Sequence, residues 1–253
     1  MEKSRKLFIG ANWKSYFTQS QVNSHIFQTI NSLQINPNQI EVIIAPSLLH
    51  LTQVKNILRP EISISSQNCS SEATGPYTGE VSASQLKDFG IDWVIIGHLE
   101  RRNLFDENDS IIRKKVYQAL ENGLNVMFCI GENLFERELG LALDVVTKQL
   151  NAIKEFAEKM WYKVVIVYDP IWENECGKNL TPGEIQEVHG YIRQWLMGNI
   201  DKDIAKGIRI VYGGKVDNKN AKILLAQEDV DGFLIGDDIM CETFKYVIEI
   251  SQK

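Results

Sequence analysis

Eight short apolar runs recur along the chain, largely without polar alternation. They cover residues 7–11, 40–45, 62–65, 93–96, 126–130, 164–167, 208–211 and 232–235. A strand that reads apolar along its length is covered on both faces. Helical patterns separate the runs. They lie at 19–33, after a probable cap at Ser47, near Gln85, and at 111–122, 141–159, 184–197 and 220–226, with a last one at 243–250. Strict strand–helix alternation means parallel pairing with right-handed crossovers. Eight such units in 253 residues fit a closed α/β barrel, with residues 1–253 forming a single domain. The rival is a doubly wound open sheet. No Gly-rich dinucleotide fingerprint follows the first run, which weakens it.

Composition excludes several classes of partner. The net charge is −6 and no basic stretch stands out, so a nucleic-acid surface is not expected. No apolar run reaches membrane-spanning length, so no membrane partner is expected. Cys69, Cys129, Cys176 and Cys241 show neither Cys-x-x-Cys nor metal spacing and read as free thiols in a reducing compartment. Met1 to Lys6 is polar and lacks the apolar core of a cleaved signal. Cytoplasmic localisation is the expectation, with organellar targeting left open.

In parallel barrels chemistry gathers at the carboxyl ends of the strands. The sixth run ends in Asp169 and is stopped by Pro170. A loop with an aromatic, several charged residues and Gly177 then runs to a helix start at Thr181-Pro182. A carboxylate at a strand tip under such a loop is a general-base candidate. Other tips offer Asn12 and Lys14, His98 and Glu100, Glu132, Tyr212 to Lys215, and Gly236 to Asp238. Lysine can hold negative charge, a neutral histidine can polarise a carbonyl, and a carboxylate can lift the proton beside it. His25, His50 and His189 fall in helical patterns and read as structural residues near the surface.

These motifs carry a resemblance. Asn12-Trp13-Lys14, Gly97-His98-Leu99-Glu100-Arg101-Arg102, Cys129-Ile130-Gly131-Glu132, Tyr168-Asp169-Pro170-Ile171-Trp172 and Tyr212-Gly213-Gly214 together resemble triosephosphate isomerase. Thr78-Gly79-Glu80 and Val230-Asp231-Gly232-Phe233 extend the match over nearly the whole chain. The resemblance implies a (β/α)8 TIM barrel that interconverts glyceraldehyde 3-phosphate and dihydroxyacetone phosphate, in glycolysis and gluconeogenesis, without metal or cofactor. The following roles are taken over from the family and not deduced from spacing. Lys14 and Asn12 face the substrate's oxygens, His98 is the neutral electrophile, and Asp169 stands at the base position. Glu100 braces Lys14. Trp172 and Glu132 set the open lid, and Tyr212 receives the closed one. Thr78 reaches into a second subunit of a homodimer built on the third loop.

The departures from the family cluster at the base and the phosphate grip. Asp169 replaces a glutamate, which withdraws the carboxylate by about 1.5 Å. Leu99 replaces the serine that holds that glutamate at rest. This either accompanies the shorter acid or adds apolar packing. After Trp172 the family reads Ala-Ile-Gly-Thr-Gly-Lys, whereas this chain reads Glu173-Asn174-Glu175-Cys176-Gly177-Lys178. Glu175 stands at a phosphate-facing glycine, Lys215 at a serine whose amide serves the phosphate, and Asp237 at the second glycine after Gly236. A phosphate site needs bare amides and a positive field, so added acids oppose it. Lys215 and Asp237 are expected either to pair across the phosphate position or to be solvated separately. Weak or absent isomerase activity on a small phosphorylated sugar follows. The alternatives are a non-catalytic subunit of a larger assembly and an isomerase whose substrate lacks, or re-sites, the phosphate.

Overall fold

The computed structural model describes residues 5–156, 158–170, 172–177, 179–236 and 242–252, with Asn174 and Glu175 described by backbone alone. The apolar runs become β1 (Leu7–Asn12), β2 (Ile40–Ala45), β3 (Ile62–Ser66), β4 (Trp93–Ile96), β5 (Asn125–Ile130), β6 (Val164–Tyr168), β7 (Ile210–Tyr212) and β8 (Gly232–Ile235). Each pairs in parallel with the next, and β8 returns to β1 to close a (β/α)8 barrel.

Successive side chains of a strand point to opposite faces. Phe8, Ile43, Trp93, Met127, Val165, Val167, Val211 and Leu234 therefore fill the barrel interior as one cluster. Ile9, Val42, Val94, Val126, Ile166 and Ile210 point outwards and join the core beneath the helices. Where β8 meets β1, Gly232 adopts φ 137° and lies so close to the Phe8 backbone that a Cβ would overlap its carbonyl oxygen. Only glycine fits that junction.

The elements differ from the sequence expectation at their ends. The 208–211 run loses its first two residues, because Ile208 caps the helix Lys202–Gly207 by donating to Ile204 O at 2.9 Å. The first helical pattern ends at Gln28 and is followed by a 3-10 turn, Ile30–Ser32. The 141–159 pattern divides into Ala142–Asn151 and Glu158–Trp161. The helix starting at Thr181-Pro182 runs Pro182–Asn199, opened by a reciprocal Thr181–Glu184 capping box with Pro182 in its first turn.

His25 and His189 correct the surface reading, since both are buried. His189 Nδ1 lies 3.0 Å from Asp229 O, and His25 stacks on Phe17. Burial lowers the pKa of both rings, that of His189 to about 4. His50 is half-buried, with Nε2 at 2.9 Å from Phe17 O.

Candidate active site

The turn after β1 presents Lys14. Asn12 Oδ1 accepts the Lys14 backbone N–H at 3.1 Å, and Gln67 Nε2 donates to both Lys14 O and Ala45 O at 2.8 Å. These bonds hold Lys14 at φ 48°, a left-handed conformation that costs a long side chain about 1 kcal/mol. Its ammonium meets Glu100 Oε1 at 2.9 Å. The stem rests against the bare backbone after β8, where a Cβ on Gly236 would lie 3.0 Å from Lys14 Cε.

After β4, His98 caps the helix Leu99–Leu104, its Nδ1 accepting the Glu100 N–H at 3.3 Å. A ring nitrogen that accepts carries no proton, so in the neutral ring the proton sits on Nε2. Nε2 lies 3.6 Å from Asp169 Oδ2. Asp169 extends β6, its N–H donating to Ile130 O at 2.8 Å, and is only 2% exposed. Oδ2 accepts the Leu99 backbone N–H at 3.2 Å, so the Leu99 amide holds the short acid while its side chain is buried.

A buried carboxylate beside a neutral imidazole N–H, with an ammonium on the adjoining tip, can abstract a proton next to a carbonyl and stabilise the resulting oxyanion. Asn12, Lys14, His98 and Glu100 line a cavity of about 360 Å³ together with Gln67, Gly79 and Phe105. Thr78 is exposed beside Gly79 in the 67–81 segment. Among the described residues, no group of three or more His, Cys, Asp or Glu is placed to hold a metal ion.

The segment after Asp169 departs from an unstructured loop. A short helix, Trp172–Cys176, forms where Glu173 N donates to Pro170 O and Gly177 N to Glu173 O, both at 3.1 Å. Trp172 Nε1 donates to Glu132 Oε1 at 3.4 Å, and the Tyr168 hydroxyl donates to the same carboxylate at 2.9 and 3.1 Å. Burial raises the Glu132 pKa against these donors.

By sequence Glu173 is an acid at the alanine position of the family pattern. In the structure it is 1% exposed and anchored. Its Oε1 accepts the Leu180 N–H, and its Oε2 accepts the Tyr212 hydroxyl and, at 3.3 Å, the Lys215 N–H. Burial raises its pKa, and burial together with this carboxylate pushes the Tyr212 phenol far up. No local sequence signal marks this anchoring, because Leu180, Tyr212 and Lys215 meet Glu173 only in the folded chain.

The Lys215 side chain is exposed. Asp237 and the Glu175 side chain lie outside the described residues, and the expected Lys215–Asp237 pair lies there with them.

The triosephosphate isomerase family profile matches residues 7–251. The chain is 43% identical over 233 residues to triosephosphate isomerase of Emericella nidulans, covering 92% of this chain and 93% of that one. It is 45% identical over 233 residues to cytosolic triosephosphate isomerase of Oryza sativa subsp. japonica, covering 92% and 91%. Identity is 43% to triosephosphate isomerase of Paracoccidioides lutzii, with coverage of 92% and 93%.

Proposed function

The chain belongs to the triosephosphate isomerase family, and on that premise we propose that it interconverts dihydroxyacetone phosphate and glyceraldehyde 3-phosphate, slowly, with Asp169 as base. The observation that carries this reading is the 3.6 Å approach of His98 Nε2 to the buried Asp169 carboxylate beside Lys14. Asp169 takes a proton from one substrate carbon. The Nε2–H of His98 polarises the adjacent oxygen, and the Lys14 ammonium and Asn12 balance the enediolate. The hydroxyl proton of the first carbon's oxygen passes by way of His98 to the oxygen that His98 polarises, and Asp169 returns its proton to the neighbouring carbon, which leaves the new carbonyl on the first carbon. The phosphate lies towards the amides of Lys215 and Gly236. Turnover is low because the carboxylate is about one bond short, and a displacement of that order costs ~10²-fold.

The enzyme acts as a cytoplasmic homodimer. Its third loop, with Thr78 at the tip, enters the partner beside Leu48, Leu49 and Phe105, all exposed in the single chain. No helix among the described residues is long and apolar enough to cross a membrane.

The test is an isomerase assay on purified protein beside titration with a phosphate-bearing transition-state analogue. Measurable turnover with analogue binding supports the proposal. Turnover within tenfold of an ordinary relative removes the idea of impairment. Neither turnover nor binding leaves the non-catalytic assembly subunit as the reading.

A further inference from the structure

Glu173 has no part in the proton transfers proposed above, yet among the described residues of the lid its side chain is the most heavily anchored. Its carboxylate spans three segments. It sits on the lid helix Trp172–Cys176, accepts the Leu180 amide just before the helix Pro182–Asn199, and reaches the loop after β7 through the Tyr212 hydroxyl and the Lys215 amide. The approach is possible only because Gly214 is bare. A Cβ there would overlap both Glu173 Oε2 and the Tyr212 hydroxyl oxygen.

In parallel barrels, phosphate groups are commonly bound by the loops after the seventh and eighth strands, through backbone N–H groups. The Lys215 amide is such a group, on the loop after β7, and it already faces an anion. An N–H at 3.3 Å from a carboxylate oxygen cannot turn to a phosphate oxygen without releasing it. Two anions sharing the notch would also repel strongly at this separation. The same carboxylate holds the Tyr212 hydroxyl while Trp172 still donates to Glu132. The first two residues of the lid helix, Trp172 and Glu173, are thereby both tied to the barrel.

We propose that Glu173 is an internal anion that occupies part of the phosphate subsite, so that a substrate phosphate must displace its carboxylate from Lys215 and Tyr212 before it can bind. This inference rests on the isomerase reading for the location of the phosphate. It goes further in assigning Glu173 as the residue that sets phosphate affinity and lid release. The displacement breaks and forms only hydrogen bonds. Loss of the carboxylate frees the subsite, and Glu173→Ala installs the alanine of the family pattern.

The experiment measures the dissociation constant of glycerol 3-phosphate by calorimetry for the full chain and for Glu173→Ala and Glu173→Gln. Hydrogen exchange at the Lys215 amide is followed by NMR in the anion-free wild type. The expected result is a Lys215 amide protected without ligand, with glycerol 3-phosphate binding at least about tenfold tighter in Glu173→Ala and to an intermediate degree in Glu173→Gln. A freely exchanging Lys215 amide in the wild type overturns the proposal without recourse to any variant. So does a folded Glu173→Ala, judged by its thermal melt, that binds no tighter. Wild-type turnover of glyceraldehyde 3-phosphate is read separately. Turnover with no gain in binding sinks the Glu173 assignment and keeps the isomerase. A gain in binding without turnover keeps the assignment and sinks the isomerase.

Discussion

On the proposed isomerase reading, the reach of one carboxylate decides how fast this site can work. Asp169 is held at Oδ2 by the Leu99 amide, 3.6 Å from His98 Nε2, and cannot advance without leaving that amide. Asp169→Glu restores the missing methylene and is expected to raise kcat, by up to ~10²-fold. Asp169→Ala should abolish turnover while leaving binding of a phosphate ester within a few-fold. Steady-state kinetics and calorimetry on the two variants check both, and an Asp169→Glu variant no faster than wild type places the limit at the phosphate grip instead. Asn12, Lys14, His98 and Asp169 were legible in the sequence because each sits at a strand tip, where position alone implies convergence. The anchoring of Glu173 was not, since its partners Leu180, Tyr212 and Lys215 are brought to it only by closure of the fold. His189 is the residue to probe by pH. Its pKa falls from 6.5 unfolded to about 4 folded through burial. Its contribution to stability is therefore complete above pH 6.5 and is lost as pH falls towards 4, by roughly 3 kcal/mol in full. Glu132 and Glu173, raised by burial, act in the opposite sense and gain as pH falls. Comparison with His189→Gln isolates the histidine: urea unfolding at pH 7 and pH 4.5 should show the wild type losing about 2 kcal/mol more than the variant. Equal losses would mean that His189 is protonated in the folded chain.

Among the elements, the helix Pro182–Asn199 shows what fixes β7 and β8 in register. Its buried Arg193 bonds Asp229 at 2.7 Å and Asp231 at 2.8 Å, and also donates to the carbonyls of Ala205 and Ile208. Asp231 in turn accepts the Ile210 N–H at 2.9 Å and Arg5 Nε at 2.8 Å. Arg193→Leu leaves two acids without their main counter-charge and is expected to cost about 3–5 kcal/mol, read as a fall in the urea midpoint. A loss below 1 kcal/mol would show that Arg5 alone satisfies both. At the other end of this helix, Thr181→Ala removes the capping box and should cost about 1 kcal/mol. The strands were legible because eight apolar runs have one explanation at this length. Their ends were less so: Ile208 is as apolar as a strand residue but serves as a helix cap, and hydropathy cannot tell the two apart. The lid helix escaped for a related reason. A single turn has no amphipathic period, and its hydrogen bonds from Glu173 to Pro170 and from Gly177 to Glu173 leave no mark on composition.

At the scale of the whole molecule, the cavity lined by Lys14 and His98 is also lined by the exposed apolar residues Leu48 and Phe105. Leu49, in the 3-10 turn Leu48–His50 after β2, is 89% exposed, and Tyr77, in the loop after β3, is 43% exposed. Side chains of this kind are rarely left to solvent when they lie beside a cleft. A second copy would cover them by inserting its third loop, and Thr78 stands at the tip of that loop. Insertion would also stiffen the Lys14 turn, whose left-handed backbone is held on this side by Gln67. Assembly and catalysis are then coupled. The wild type should sediment at twice the 28.9 kDa of the chain. Thr78→Arg, which places a bulky charge inside a closed cleft, should sediment as the monomer and lose activity by ~10²-fold or more, since small displacements of the catalytic lysine carry that penalty. Sedimentation velocity and the isomerase assay on the same samples check it. A wild type that stays monomeric at micromolar concentration, or a monomeric Thr78→Arg with undiminished turnover, would show that each barrel completes its own site.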